Sequence, residues 1–367
     1  SFSSRGPVID GRIKPEITTQ GAAVVSTGNG SYYTNNGTSM ACPGASGGAT
    51  LLIQRYRQLN AGTNPSNALV KNLLCNGATD KGNEGPDYTY GFGWMNLDRS
   101  LDILENNRYA SGSLIHGGFG LKTFTVSPGQ AQLKVMLNWN DPAAPMVAYR
   151  TLVNDLDLEL VTPTGSILLP RILDTVAARV NQVAGVGVDR INNIEQITLY
   201  NPPTGNYTIR VRGTSVNTLT QAYFISWEVL APSAKLTFPL GGESFRPGQS
   251  INIQWDTYPG AGTYNLEAST DNGSTWTPIV SGLTASTVQY SWITPNLPSD
   301  QVRVRLINTM TNAVSTSQSF LLIGLPVVSL ASVQCETYIS MDWTAVAGAT
   351  DYEVMRLVGA EMQSVTI

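Results

Sequence analysis

The residues of this 367-residue chain best suited to chemistry are Gly37-Thr38-Ser39-Met40-Ala41, followed by Cys42-Pro43-Gly44 and small residues out to Thr50. Asn35-Asn36-Gly37 is a turn signal, so Thr38 and Ser39 open a helix behind a glycine that lets another backbone come close. A serine placed there has its hydroxyl and its own N–H at the positive end of the helix dipole, where an oxyanion is stabilised. Nucleophilic attack also needs a base to take the serine proton and a carboxylate to orient that base. The chain holds one histidine, His116, far downstream. Taken alone, the pentapeptide reads equally as a loop ending in a helix whose cap is Ser39.

The helix that carries Ser39 must be held by its surroundings. Ala41, Gly44, Ala45, Ser46, Gly47, Gly48 and Ala49 are too small to drive helix formation, and each glycine disfavours it by about 1 kcal/mol. Burial against close neighbours is therefore expected, with Pro43 in the first turn, where a missing N–H costs little. Cys42 is expected to pack inward as a small hydrophobe. Asn64-Pro65 predicts the N-cap and first residue of a second helix over 66–74, ended by Asn76-Gly77. A third helix is expected over 96–105. Cys75 lies on the second helix, which leaves a Cys42–Cys75 disulfide open, and Cys335 is expected to be unpaired.

Other groups offer weaker chemistry. A Ser, Asp, His order occurs in α/β-hydrolases, but those mount the serine in Gly-x-Ser-x-Gly after a strand, which Gly37 to Ala41 does not match. His116, beside Gly117-Gly118, reads as a linker residue. Lys14 and Lys71 sit in polar contexts, whereas a lysine base must be desolvated. Asp141, Asp155 and Asp157 are the candidate calcium ligands: Asn154, Asp155 and Asp157 place oxygens on a tight stretch, and calcium takes six to eight. Asp155 and Asp157 are equally read as lining one solvated strand face.

Three segments, in order, resemble the C-terminal part of a subtilisin-like serine protease domain. They are Ser1-Phe2-Ser3-Ser4-Arg5-Gly6-Pro7 with Asp10-Gly11-Arg12-Ile13-Lys14-Pro15-Glu16-Ile17, then Gly37 to Pro43, then Tyr90-Gly91-Phe92-Gly93-Trp94-Met95-Asn96-Leu97. The resemblance implies that Ser39 is the nucleophile and that its N–H serves the oxyanion hole. The catalytic Asp, His and oxyanion Asn of the family precede the serine, and their segments are not in this sequence. Asp10 matches the loop beneath the substrate groove and no catalytic Asp. Two departures touch the groove: Thr18-Thr19-Gln20-Gly21 replaces the usual ending in Ala-Pro-Gly, and Gly44 stands where a His often follows the proline.

The expected fold class is multidomain, a partial α/β subtilisin-like segment over 1–111 followed by all-β sandwiches. From Gly112, residues 121–126 and 132–139 alternate with period two around the turn Ser127-Pro128-Gly129. Further strands are expected at 155–161, 196–200, 207–211 and 222–229, making one sandwich over 112–231. Asn154-Asp155-Leu156-Asp157-Leu158, Asn193-Ile194-Glu195-Gln196 and Asn201 to Ile209 resemble the jelly-roll domain of the proprotein-convertase P-domain type. Residues 232–325, with Asp271-Asn272-Gly273 suited to a positive-φ turn, resemble an immunoglobulin-like module. Residues 326–367 resemble the start of a fibronectin type III module.

Charged residues make up 13% of the chain and the net charge is −4. No basic stripe argues for nucleic acid, and no run of ~18 apolar residues for a membrane span. The resemblance implies a secreted or cell-surface endopeptidase acting on protein or peptide substrates, with no cofactor for its chemistry and calcium in a structural role at most. It also implies a partner, the missing N-terminal half of the protease domain, without which this chain alone is inactive. The competing reading is an adhesin-like or carbohydrate-binding protein whose serine segment is a relic.

Overall fold

The computed structural model describes residues 2–257, 262–284, 286–334, 336–359 and 361–365. Ser1 and Cys335 lie outside the described residues. The chain divides into two compact units, Ser1–Ala231 and Pro232–Ile367.

The first unit begins with an extended segment, then the antiparallel hairpin β1 (Val24–Gly28) and β2 (Ser31–Asn35). Helix α1 (Thr38–Leu59) follows. It is not the buried helix expected: of its 22 residues only Gly48 and Leu52 are buried, and Cys42 is exposed. Pro43 lies inside the helix and not in its first turn, so the Ser39 carbonyl lacks the N–H that a helix would bring to it. Helix α2 (Asn67–Asn76) is capped by Ser66 and not by Asn64, because the extended Ser66 accepts from the Ala68 N–H with its side chain. Helix α3 (Leu97–Glu105) is capped by Asn96. The three helices meet through Leu52, Leu69, Leu73, Ile103 and Leu104.

A sandwich of two four-stranded sheets completes this unit. Its strands are β3 (Tyr109–Leu114), β4 (Phe119–Val126), β5 (Gln132–Asn138), β6 (Asp155–Val161) and β7 (Ile167–Leu168), the small pair β8 (Arg171–Ile172) and β9 (Gly185–Val186), then β10 (Ile194–Tyr200), β11 (Gly205–Ser215) and β12 (Gln221–Leu230). One sheet runs β10-β5-β12-β3 and the other β4-β11-β6-β7. Strand β3 begins at Tyr109 and pairs with β12, so the sheet register runs across residues 111 and 112. Leu133, Val135, Leu137, Trp139, Leu158, Tyr207 and Ile209 fill the space between the sheets.

The alternation in 132–139 predicts one buried and one solvated face, yet every residue of β5 is buried. The second face, with Lys134, Met136 and Asn138, is covered by the helical segment: Asn72 Nδ2 donates to the Met136 and Phe224 carbonyls at 3.4 and 3.2 Å. The small-to-medium helix α2 thus lies on the sheet, and the sandwich and the helices form one folded body.

The second unit holds β13 (Ala234–Phe238), β14 (Ser244–Phe245), β15 (Ser250–Thr257), β16 (Thr263–Ser269), β17 (Thr277–Thr284), β18 (Gln289–Ile293), β19 (Ser299–Asn308), β20 (Val314–Thr316) and β21 (Phe320–Leu322). They form a sheet β13-β15-β18 and a sheet β14-β21-β19-β16-β17, with β20 on β19. Strict alternation in β15 and β19 aims Ile253, Trp255, Val302, Val304 and Leu306 into its core. The Asp271 turn has positive φ at Asn272 (58°) and Gly273 (89°), as its residues predict. Two exposed ladders follow, β22 (Val328–Leu330) with β23 (Met341–Trp343) and β24 (Met355–Val358) with β25 (Glu361–Ser364). Among the described residues, no helix is long and apolar enough to cross a membrane.

Candidate active site

Ser39 is the second residue of α1 and is exposed. Among the described residues its hydroxyl has no hydrogen-bond partner, and the Gly37 cap supplies no side chain to the first turn. The Gly37 carbonyl accepts from the Met40 and Ala41 N–H groups at 3.1 and 3.3 Å, and the Ser39 N–H, in the first turn, has no intrahelical acceptor. A cleft of about 550 Å³ beside this turn is lined by Ile17, Gly21, Gly37, Thr38, Ala41 and Trp94 among others. Ser39 itself is not among the residues that line it; its hydroxyl and orphan amide suit a nucleophile turn, and acyl transfer would further need a base.

The segment that departs from the family pattern holds this turn in place. The Gly37 N–H donates to the Gly21 carbonyl at 2.7 Å, and Thr19 Oγ1 donates to the Ala41 carbonyl at 2.6 Å. Gly21 has to be glycine: a Cβ there would sit 2.8 Å from the Gly37 oxygen and 3.1 Å from the Ala41 Cβ. Sequence reasoning assigned no role to Thr19 or Gly21.

The candidate bases lie elsewhere. His116 is exposed on the turn between β3 and β4. Lys14 and Lys71 both pair with Glu16, Lys14 at 2.7 Å. Burial alone would raise the Glu16 carboxyl, but Lys71 and Lys14 outweigh it and hold it below its usual value. Asp10 pairs with Arg12 at 2.8 Å and accepts from the Thr151 hydroxyl. Cys42 and Cys75 are both free, so the disulfide left open by their spacing is not formed. Burial pushes the Cys75 thiol up to about 12.

The three calcium candidates do not share a cage. Asp141 accepts from the Val153 and Asn154 N–H groups at 2.7 and 2.8 Å. Asp155 and Asp157 instead converge on Arg190, Asp155 at 3.2 Å, and Asp157 also accepts from the Thr214 hydroxyl. Among the described residues, no group of three or more His, Cys, Asp or Glu is arranged to hold a metal ion. Glu195 lies near these acids: its Oε2 accepts from the Leu158 N–H at 2.8 Å, while Oε1 is buried without a partner. Burial first, then Asp189, Asp157 and Asp155, push its carboxyl well above the usual range.

Against known proteins, residues 1–93 match the family model of Peptidase S8, the Subtilase family. The serine protease/ABC transporter B family protein tagA of Dictyostelium discoideum is 28% identical over 264 residues, covering 61% of this chain and 15% of its own length. Serine protease AprX of Bacillus subtilis is 35% identical over 116 residues, covering 28% of this chain and 25% of itself. Pyrolysin of Pyrococcus furiosus is 37% identical over 117 residues, covering 28% and 8%. The chain thus spans a quarter or less of the length of these relatives.

Proposed function

Because its N-terminal region belongs to the subtilase family, we propose that this chain is the nucleophile-bearing part of a serine endopeptidase whose His and Asp come from polypeptide outside these 367 residues. Ser39 Oγ attacks the carbonyl carbon of a peptide bond while the His takes its proton. The Asp orients the His, and the Ser39 N–H with an Asn side chain from the same outside segment holds the oxyanion. The His then passes its proton to the leaving amine, and water repeats the sequence to free Ser39. The observation that carries this reading is the exposed Ser39 hydroxyl and free amide on a turn pinned from both sides.

The same reading makes the polypeptide inactive by itself, since loss of the base from a triad costs about 10⁶-fold in kcat. It also takes the sandwich over 112–231 as a P-domain-type jelly roll, supported by its two antiparallel four-stranded sheets. Residues 232–325 are taken as immunoglobulin-like, residues 326–367 as the start of a fibronectin type III module, and the whole as secreted or cell-surface. A fluorophosphonate probe tests the catalytic claim. The 367-residue chain should remain unlabelled, and a longer polypeptide carrying the upstream segments should be labelled at Ser39 and not after Ser39→Ala. Rapid labelling of the 367-residue chain, or none of the longer one, overturns it.

A further inference from the structure

We propose that Thr19 is a positioning residue for Ser39, a role that rests on the serine-nucleophile reading and adds a residue to it. The first turn of α1 is poor in intrinsic support. Its cap is a glycine without a side chain, it has no acidic residue, and Pro43 removes the N–H that would meet the Ser39 carbonyl. The buried residues of α1, Gly48 and Leu52, both lie well beyond that turn. What remains is a pair of external bonds placed symmetrically about Ser39, two residues before it and two after. Gly37 N–H meets the Gly21 carbonyl at 2.7 Å, and the Ala41 carbonyl meets the Thr19 hydroxyl at 2.6 Å.

The brace has a fixed footing. Thr18 N–H donates to the Gly93 carbonyl at 3.0 Å, the Met95 N–H donates to the Thr18 carbonyl at 2.9 Å, and Thr18 Oγ1 also reaches the Gly93 carbonyl at 3.0 Å. Successive residues of an extended segment face opposite ways. Thr18 therefore ties the segment to the 93–95 loop, and Thr19 ties it to the helix. Gly44 faces the same hydroxyl, and a Cβ there would make a tight 3.3 Å contact with Thr19 Oγ1. Removing the hydroxyl leaves the carbonyl two residues past Ser39 with only its place in the helix ladder, takes away its tether to the 18–21 segment and lets the turn shift. A displacement near 1 Å at a reacting group costs on the order of 10²-fold in rate.

The test compares Thr19→Val, Thr19→Ala and Thr19→Ser in the longer polypeptide that carries the upstream segments. Thr19→Val and Thr19→Ala should lower kcat and the fluorophosphonate labelling rate by roughly 10- to 100-fold with KM nearly unchanged. Thr19→Ser, which keeps the hydroxyl, should stay within about twofold of wild type. Unchanged kcat in Thr19→Val, a rise in KM alone, or equal damage in Thr19→Ser overturns the proposal while Ser39 remains the nucleophile. Amide hydrogen exchange in the 367-residue chain separates the two claims: Met40 to Cys42 should exchange faster in Thr19→Val and normally in Thr19→Ser. Faster exchange with an unlabelled wild-type longer polypeptide removes the nucleophile and keeps the brace; unaltered exchange removes the brace.

Discussion

Lys134 donates to Glu228 across 2.9 Å at a place where both side chains are almost sealed from water. Glu228 on β12 also takes two bonds from Arg99 of α3, at 2.7 and 2.6 Å. Lys134 on β5 gives its remaining protons to the carbonyls of Asn76 and Ala78 at the end of α2, Ala78 at 3.0 Å. Burial pulls Lys134 down to about 8, with Arg99 adding to the shift and Glu228 opposing it. Burial would raise Glu228, but the two cations hold it below its usual value. This triad fastens the helical segment to the sheet at the one place where the strand presents a charge to it.

Removing the shared acid should therefore loosen the whole first unit. Glu228→Gln leaves Lys134 and Arg99 buried without their counter-charge, and breaking such a pair from one side costs about 3–5 kcal/mol. Urea unfolding followed by tryptophan fluorescence reads this, since Trp139 and Trp227 lie in the adjoining core. A loss below about 1 kcal/mol would mean that water reaches the triad.

Glu195 should make the unit less stable as pH rises. Its folded carboxyl titrates well above the unfolded value of 4.5, so between the two the folded state holds more protons than the unfolded one. Stability then falls as pH climbs from the unfolded value towards the folded one. Glu195→Gln keeps an acceptor for the Leu158 N–H and removes the titration. The variant should match wild type at acid pH and exceed it at pH 7.5, by urea midpoint. Parallel pH profiles for the two proteins would refute the assignment.

The two described cysteines should behave oppositely towards alkylation. Cys42 is exposed and Cys75 is buried with its thiol pushed up to about 12, and only a thiolate reacts quickly. Iodoacetamide followed by peptide mapping of the native chain should mark Cys42 within minutes and Cys75 only in denaturant. Native labelling of Cys75 would contradict its packing.

Much of this was legible from local sequence. The turn before Ser39, the helix behind it, the period-two strands and the Asp271 turn are each set by residues within a few positions of one another, because backbone sterics, caps and alternation act over that range. The resemblance read from three short motifs in order falls on the stretch, residues 1–93, that matches the Subtilase family model. What surrounds those elements was decided by residues distant in the chain. Alternation in 132–139 stated correctly which side chains share a face, but not that α2 would cover the second face and bury Lys134. The small residues of α1 suggested burial, whereas within this chain the helix packs only through Gly48 and Leu52 among its buried residues. Asp155 and Asp157 shared a face as read, and Arg190, some thirty residues on, occupies it. Ser39 could be named from its neighbours in sequence. Thr19 and Gly21, which pin it, could be found only in space, because a hydrogen bond between segments twenty residues apart leaves no periodic trace in either one.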